Sequence, residues 1–128
     1  MKQPIAPADA PDPQGGYSPA IVANGFVFAS GQAALDADTA EITTDEVAGQ
    51  TVKTLDNLEA VLQAAGASLA DIVKSTVHIA DIDAFDEFDG AYRERMPKPY
   101  PARTTVASGL APGVLVEIDV IAVLPEKG

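Results

Sequence analysis

Residues 114–123 read Val114-Leu115-Val116-Glu117-Ile118-Asp119-Val120-Ile121-Ala122-Val123, and the alternation in this run sets the architecture. Successive side chains of a strand point to opposite faces of a sheet. One face here is Val114, Val116, Ile118, Val120 and Ala122, wholly apolar. The other is Leu115, Glu117, Asp119, Ile121 and Val123, apolar except for two acids. Such a strand needs cover on both faces. An end strand with ordinary exposure is the alternative reading.

Upstream, the chain supplies few elements for that cover. Ala20 to Ala23 and Phe26 to Ser30 flank Asn24-Gly25, a pair that accepts the positive φ angles of a tight type I′ hairpin turn. Residues 36–43 read as a polar loop. Residues 45–65 carry Val47, Thr51, Leu55, Leu58, Val61, Leu62 and Ala65 at helical steps of three and four. Thr43 or Thr44 is the expected cap, with Asp45 and Glu46 in the first turn. Gly66 sits where a helix C-terminal glycine belongs. Residues 72–80 read as a β-branched strand. Residues 83–96 read as a second helix with Phe85, Phe88, Tyr92 and Met96 on one face, ended by Pro97, Pro99 and Pro101. Residues 102–108 form a third strand-like segment.

The expected order is ββαβαββ: an α+β domain with a mixed sheet and two helices packed on one face. Two helices cover one face only, so the second face is expected to be buried against another copy of the chain. The 128 residues fit one domain. Residues 1–16, rich in Pro, Ala, Asp and Gly, read as an extended or loosely packed lead-in.

Composition narrows the chemistry. The chain has no cysteine, which excludes disulfides, thiolate metal sites and cysteine nucleophiles. The start lacks the apolar stretch of a secretory signal. No run approaches the roughly 20 apolar residues of a membrane helix, so the expectation is a soluble, cytoplasmic protein. Net charge is −11, which makes nucleic acid a poor default partner. Half of the eight basic residues (Arg93, Arg95, Lys98 and Arg103) fall close together, a patch better suited to a small anion than to a polymer. Arg93 and Arg95 read as solvated helix charges.

Candidate functional residues are few. The single histidine, His78, has no partner histidine and reads as a sheet residue on the face of Lys74 and Thr76. No zinc-type cluster, P-loop or dinucleotide fingerprint occurs, so metal and nucleotide chemistry are unsupported. Arg103 follows Tyr100-Pro101-Ala102 into a strand and shares a face with Thr105 and Ala107. Its planar fork suits a carboxylate ligand. An ion pair with Glu117 or Asp119 is the competing reading. Tyr17, after Gly15-Gly16, is placed either to pack or to donate to a ligand. Ser30-Gly31 ends the hairpin, where glycine allows a bulge or close backbone approach. Glu117 is a carboxylate in a nearly apolar strand, fit for acid–base work or for pairing with Arg103 or a neighbouring chain.

Taken in order, these motifs resemble the RidA (YjgF) family. Gly15-Gly16-Tyr17-Ser18-Pro19-Ala20 is similar to its Gly-Pro-Tyr-Ser-x-Ala, and Phe28-Ala29-Ser30-Gly31-Gln32 to its Ser-Gly-Gln motif. Gln50-Thr51 through Leu58, Ala64 through Leu69 and Asp71 through Val77 look like its first helix, turn and next strand. Pro101-Ala102-Arg103 and Val116-Glu117-Ile118 look like its two C-terminal signatures. The resemblance implies a chorismate-mutase-like fold assembled as a homotrimer with clefts between subunits. It also implies hydrolytic deamination of 2-aminoacrylate or 2-iminopropanoate type imines, without a cofactor. It places Arg103 on the substrate carboxylate, and Tyr17, Ser30-Gly31 and Glu117 around the imine and water. It brings Asp89 and Thr105 near the ligand, where the family often has asparagine and some members have cysteine. Gly16 stands for the usual proline, and Leu110-Ala111-Pro112 carries one extra residue. The same resemblance allows a non-catalytic, carboxylate- or partner-binding trimer, and an RNA-cleaving role attached to some relatives.

Overall fold

Asn24 and Gly25 adopt φ angles of 53° and 79°, the left-handed pair that a two-residue hairpin turn demands. They join β2 (Ala20–Ala23) to β3 (Phe26–Gln32), with Ala23 opposite Phe26. In this computed structural model, which describes residues 1–126, the hairpin belongs to a six-stranded mixed sheet ordered β1-β2-β3-β6-β4-β5. The other strands are β1 (Gln3–Ile5), β4 (Ile72–Ile79), β5 (Ala102–Ala107) and β6 (Val116–Val123). All pairings are antiparallel except β4 with β5. The connection between those two parallel strands carries the second helix, as parallel pairs require.

Helices α1 (Val47–Ala64) and α2 (Phe85–Arg95) cover one face. Leu55, Leu58, Val61 and Leu62 of α1 and Phe88 and Tyr92 of α2 bury against Val27, Ala29, Val77, Val116, Ile118 and Val120 of the sheet. The α+β class and the two-helix face agree with the sequence pattern. The opposite face has no covering element among the described residues. Phe26 and Phe28 remain 39% and 43% exposed there, with their rings 6.1 Å apart. Ile121 and Val123 lie opposite them in register on β6.

Four details correct the sequence reading. The lead-in is not wholly loose: Gln3 to Ile5 pairs with β2 as an edge strand, a position that tolerates Pro4. Helix α1 begins at Val47, so Asp45 and Glu46 lie before its first turn and no side chain caps its N-cap, Glu46. Instead Ala48 N–H donates to Glu87 Oε2 of α2 at 2.9 Å. Arg95 is not a free surface charge but bonds Asp56 and Glu59 of α1 at 3.1 and 3.0 Å. Finally, β6 starts at Val116, because the Leu115 N–H donates to Gln50 Oε1 at 2.8 Å instead of joining the ladder.

Two buried amides of α1 tie loops to the layer below. Gln50 donates to the carbonyls of Thr44 and Gly113, both at 2.9 Å. Asn57 donates to those of Ala33 and Leu35 at 2.9 and 3.0 Å, which fixes the loop leaving β3.

Candidate functional site

Glu117 projects from the open face of β6, since its neighbours Val116 and Ile118 are fully buried on the helix face. Beside it the β3–β6 ladder slips between Ala29 and Gln32, so Ser30 and Gly31 form an irregularity that bends the strand. A Cβ on Gly31 would stand 3.0 Å from Glu117 Oε2. Both readings of Gly31 therefore hold: it marks the bulge and lets the backbone approach the carboxylate.

Tyr17 completes this cluster. The Ser30 hydroxyl donates to the Ser18 carbonyl at 2.7 Å, and the Ser30 N–H to that of Pro19 at 2.9 Å. These two bonds hold the segment that carries Tyr17 against β3. The phenol is about half exposed and does not pack in the core. Its oxygen accepts from Gln14 N–H at 3.3 Å, which leaves its proton free to donate elsewhere. Tyr17, Ser30, Gly31 and Glu117 line a hollow of about 230 Å³. An adjoining hollow of about 100 Å³, shared by Tyr17, Gly31 and Glu117, extends toward Gln14, Gln32 and Leu35. Both are smaller than the roughly 300–1,000 Å³ of drug-sized sites, which suits a ligand of few atoms.

Arg103 lies elsewhere. It stands on the edge strand β5 and points to the helix face, with Thr105 on the same side. Its Nη1 donates to Asp89 Oδ1 of α2 at 2.7 Å. Neither Glu117 nor Asp119 is its partner, which corrects the ion pair expected from the sequence. In register, β4 and then β6 separate β5 from β3, and Glu117 lies on the other face of the sheet. Within one chain, Arg103 and the Tyr17–Glu117 hollow do not meet.

The guanidinium carbon lies 4.8 Å from the ring centre of Tyr92 and 5.5 Å from those of Phe85 and Phe88. Three ring faces thus hold the cation, an attraction that grows as water is excluded. These aromatics were legible only as a core stripe; that they also wall a charged group needed the packing of β5 under α2. Tyr92 itself shares a 2.7 Å hydrogen bond with Ser75. Burial raises the Tyr92 pKa, against the lowering effects of Ser75 and the Arg103 charge. Arg103 remains 22% exposed, and only one of a guanidinium's five N–H donors is bonded to Asp89. Thr105 Oγ1 is buried and makes no hydrogen bond among the described residues.

His78 belongs to neither cluster. Its Nδ1 is 2.8 Å from Ser108 Oγ, and its Nε2 is 3.8 Å from Asp119 Oδ2, a sheet-surface arrangement as expected. No group of three or more potential metal ligands occurs among the described residues. Among the described residues no helix is long and apolar enough to cross a membrane.

Residues 7–124 match the family described as Endoribonuclease L-PSP. The chain belongs to this family, that of the RidA proteins. It is 42% identical over 123 residues to a RutC family protein of Pyrococcus horikoshii, covering 95% of this chain and 98% of that one. It is 36% identical over 124 residues to the chloroplastic Reactive Intermediate Deaminase A of Arabidopsis thaliana, covering 96% of this chain and 66% of the plant protein. Among solved structures it resembles RidA from the Antarctic bacterium Psychrobacter sp. PAMC 21119, with TM-score 0.90 and 34% identity over 94% of this chain and 98% of that one. It also resembles E. coli TdcF with bound serine, with TM-score 0.86 and 33% identity over the same shares of the two chains. The RidA-family fold is therefore shared along nearly the whole chain.

Proposed function

We propose that this RidA-family chain hydrolyses reactive 2-imino acids, of the 2-aminoacrylate and 2-iminopropanoate type, to 2-oxo acids and ammonia. The convergence of Tyr17, the Ser30-Gly31 backbone and Glu117 on one small hollow carries this reading. Arg103 supplies the missing anion holder, because a guanidinium bonded once to Asp89 keeps donors for a carboxylate. The relative TdcF holds serine, a small molecule with a carboxylate, which supports a ligand of this class.

The two halves lie on opposite faces of one sheet, so a working site needs two copies of the chain. One copy presents the Arg103 edge of β5, and the other presents the hollow beside Glu117. The uncovered face with Phe26 and Phe28 is the apolar surface such an assembly would bury. A closed ring of three copies satisfies this head-to-tail contact at every site.

In the reaction, Arg103 and a neighbouring donor fix the substrate carboxylate, which sets the imine carbon beside a water. Glu117 accepts a proton from that water as its oxygen bonds the carbon. The C=N electron pair moves to nitrogen, which takes a proton. The resulting carbinolamine collapses to a C=O bond, expelling ammonia. Tyr17 donates a hydrogen bond to the nitrogen or oxygen during these steps. An imine carbon is already electrophilic, so orientation carries most of the rate gain.

The test is ammonia release from freshly generated 2-aminoacrylate. A charged hydrogen bond contributes about 1.5–3 kcal/mol, so Arg103→Ala should cut the rate by about tenfold or more. Equal rates with and without protein, over several imines, would replace the enzyme by a carboxylate-binding trimer. RNA cleavage finds less support: net charge is −11, and the one histidine is engaged with Ser108.

A further inference from the structure

We infer that Asp89 is a specificity-determining residue, which makes the Arg103 site select zwitterionic or cation-bearing monocarboxylates and reject dicarboxylates. The inference rests on the proposed role of Arg103 as carboxylate holder. Its ground is the 2.7 Å pair between Arg103 Nη1 and Asp89 Oδ1, with both side chains only partly exposed, at 22% and 23%. A bare guanidinium would present a ligand with a charge of +1. With Asp89 beside it, the pair is neutral before any ligand arrives.

A ligand carboxylate takes the remaining N–H donors, and the local charge then becomes negative. A second carboxylate on the same ligand meets that negative charge in partly dehydrated surroundings, where like charges are penalised strongly. A protonated nitrogen next to the ligand carboxylate meets the reverse situation. Asp89 Oδ2 accepts no hydrogen bond among the described residues and is free to receive one from that nitrogen. The aromatic walls of Phe85, Phe88 and Tyr92 extend the same preference, since ring faces attract cations and not anions. The pair therefore offers donors for one carboxylate and an acceptor for one N–H⁺ group. That pattern is complementary to a protonated 2-imino acid with a neutral or basic side chain. Imines made from acidic amino acids are disfavoured.

The experiment titrates the full-length protein with L-alanine and with succinate, followed by amide NMR shifts. L-Alanine should bind at least about tenfold more tightly than succinate, and Asp89→Asn should bring the two within about threefold, mainly by strengthening succinate. Asp89→Ser, which removes the same charge with a shorter side chain, should do likewise and serves if the amide variant misfolds. Equal affinities in the unchanged protein overturn the inference, as does a ratio that survives both variants. Arg103→Ala, titrated in parallel, separates the two ideas. If it loses both ligands while the ratio ignores Asp89, the carboxylate holder stands and only the role of Asp89 falls. If both ligands bind unchanged without Arg103, or neither binds the unchanged protein, both ideas fall.

Discussion

At Gly31 a single methyl group separates two outcomes. The Cβ of an alanine would stand 3.0 to 3.2 Å from the Oε2, Cδ and Cγ atoms of Glu117, so the carboxylate must yield by a few tenths of an ångström. The backbone φ of Gly31 is not in the left-handed region, so the substitution adds no conformational strain there. Gly31→Ala is expected to lower imine turnover by about tenfold, the scale of one misplaced proton acceptor, while leaving the thermal midpoint nearly unchanged. Parallel rate and melting measurements check this; full activity would remove Glu117 from the reaction. Tyr92 shows the opposite balance, stability before catalysis. Tyr92→Phe leaves the Ser75 hydroxyl buried without its 2.7 Å partner, at a cost of about 1–3 kcal/mol. The sign with pH follows from the raised pKa of the buried phenol, above its ordinary 10.0. A raised pKa means the folded state favours the neutral form. Its stabilising contribution is whole below pH 10 and declines as pH climbs toward the folded value. Urea unfolding at neutral and strongly alkaline pH should show that decline in the natural protein and a smaller one in Tyr92→Phe.

Among the elements, α1 does more than cover the sheet. Gln50, itself fully buried, makes three partly buried hydrogen bonds, to Thr44, Gly113 and Leu115, and so fixes where β6 begins. Glu117 is the second residue of that strand. Gln50→Leu keeps the volume but removes the partner of two carbonyls and one N–H that water reaches only in part, where a fully buried unpaired group costs about 1–3 kcal/mol. The expected loss is about 1–3 kcal/mol in urea unfolding; unchanged stability would show that these bonds do not hold the strand. The elements also show what a sequence can reveal. Asn24-Gly25 announced its turn because asparagine and glycine accept positive φ through their own local chemistry, without help from distant residues. Phe88, Tyr92 and Met96 announced a buried stripe because helical spacing is local. The start of α1 was misread because its real partner, Glu87, comes from the other helix. Strand β1 was missed because Gln3-Pro4-Ile5 has little strand character and is held by pairing to β2. Alternation put Arg103 and Thr105 on one face, but could not tell that α2 covers that face. Asp89 was therefore noticed as a departure from the family pattern and not as the partner of Arg103.

For the whole molecule, the sheet divides the functional residues into two sets. Tyr17, Ser30, Gly31 and Glu117 face the uncovered side; Arg103 and Thr105 lie under α2 at the far edge, where Asp89 of that helix meets Arg103. No rotamer change brings Arg103 across β4 and through the sheet to Glu117. The proposed enzyme thus exists only as an assembly, with each site built from two chains. Refolding an equal mixture of two separately inactive variants, Arg103→Ala and Glu117→Ala, measures this directly. Random assembly of a ring pairs an intact Arg103 edge with an intact Glu117 hollow at about a quarter of the sites, so deaminase activity should return to about a quarter of the natural level. A mixture as inactive as its two parents would contradict a site shared between copies.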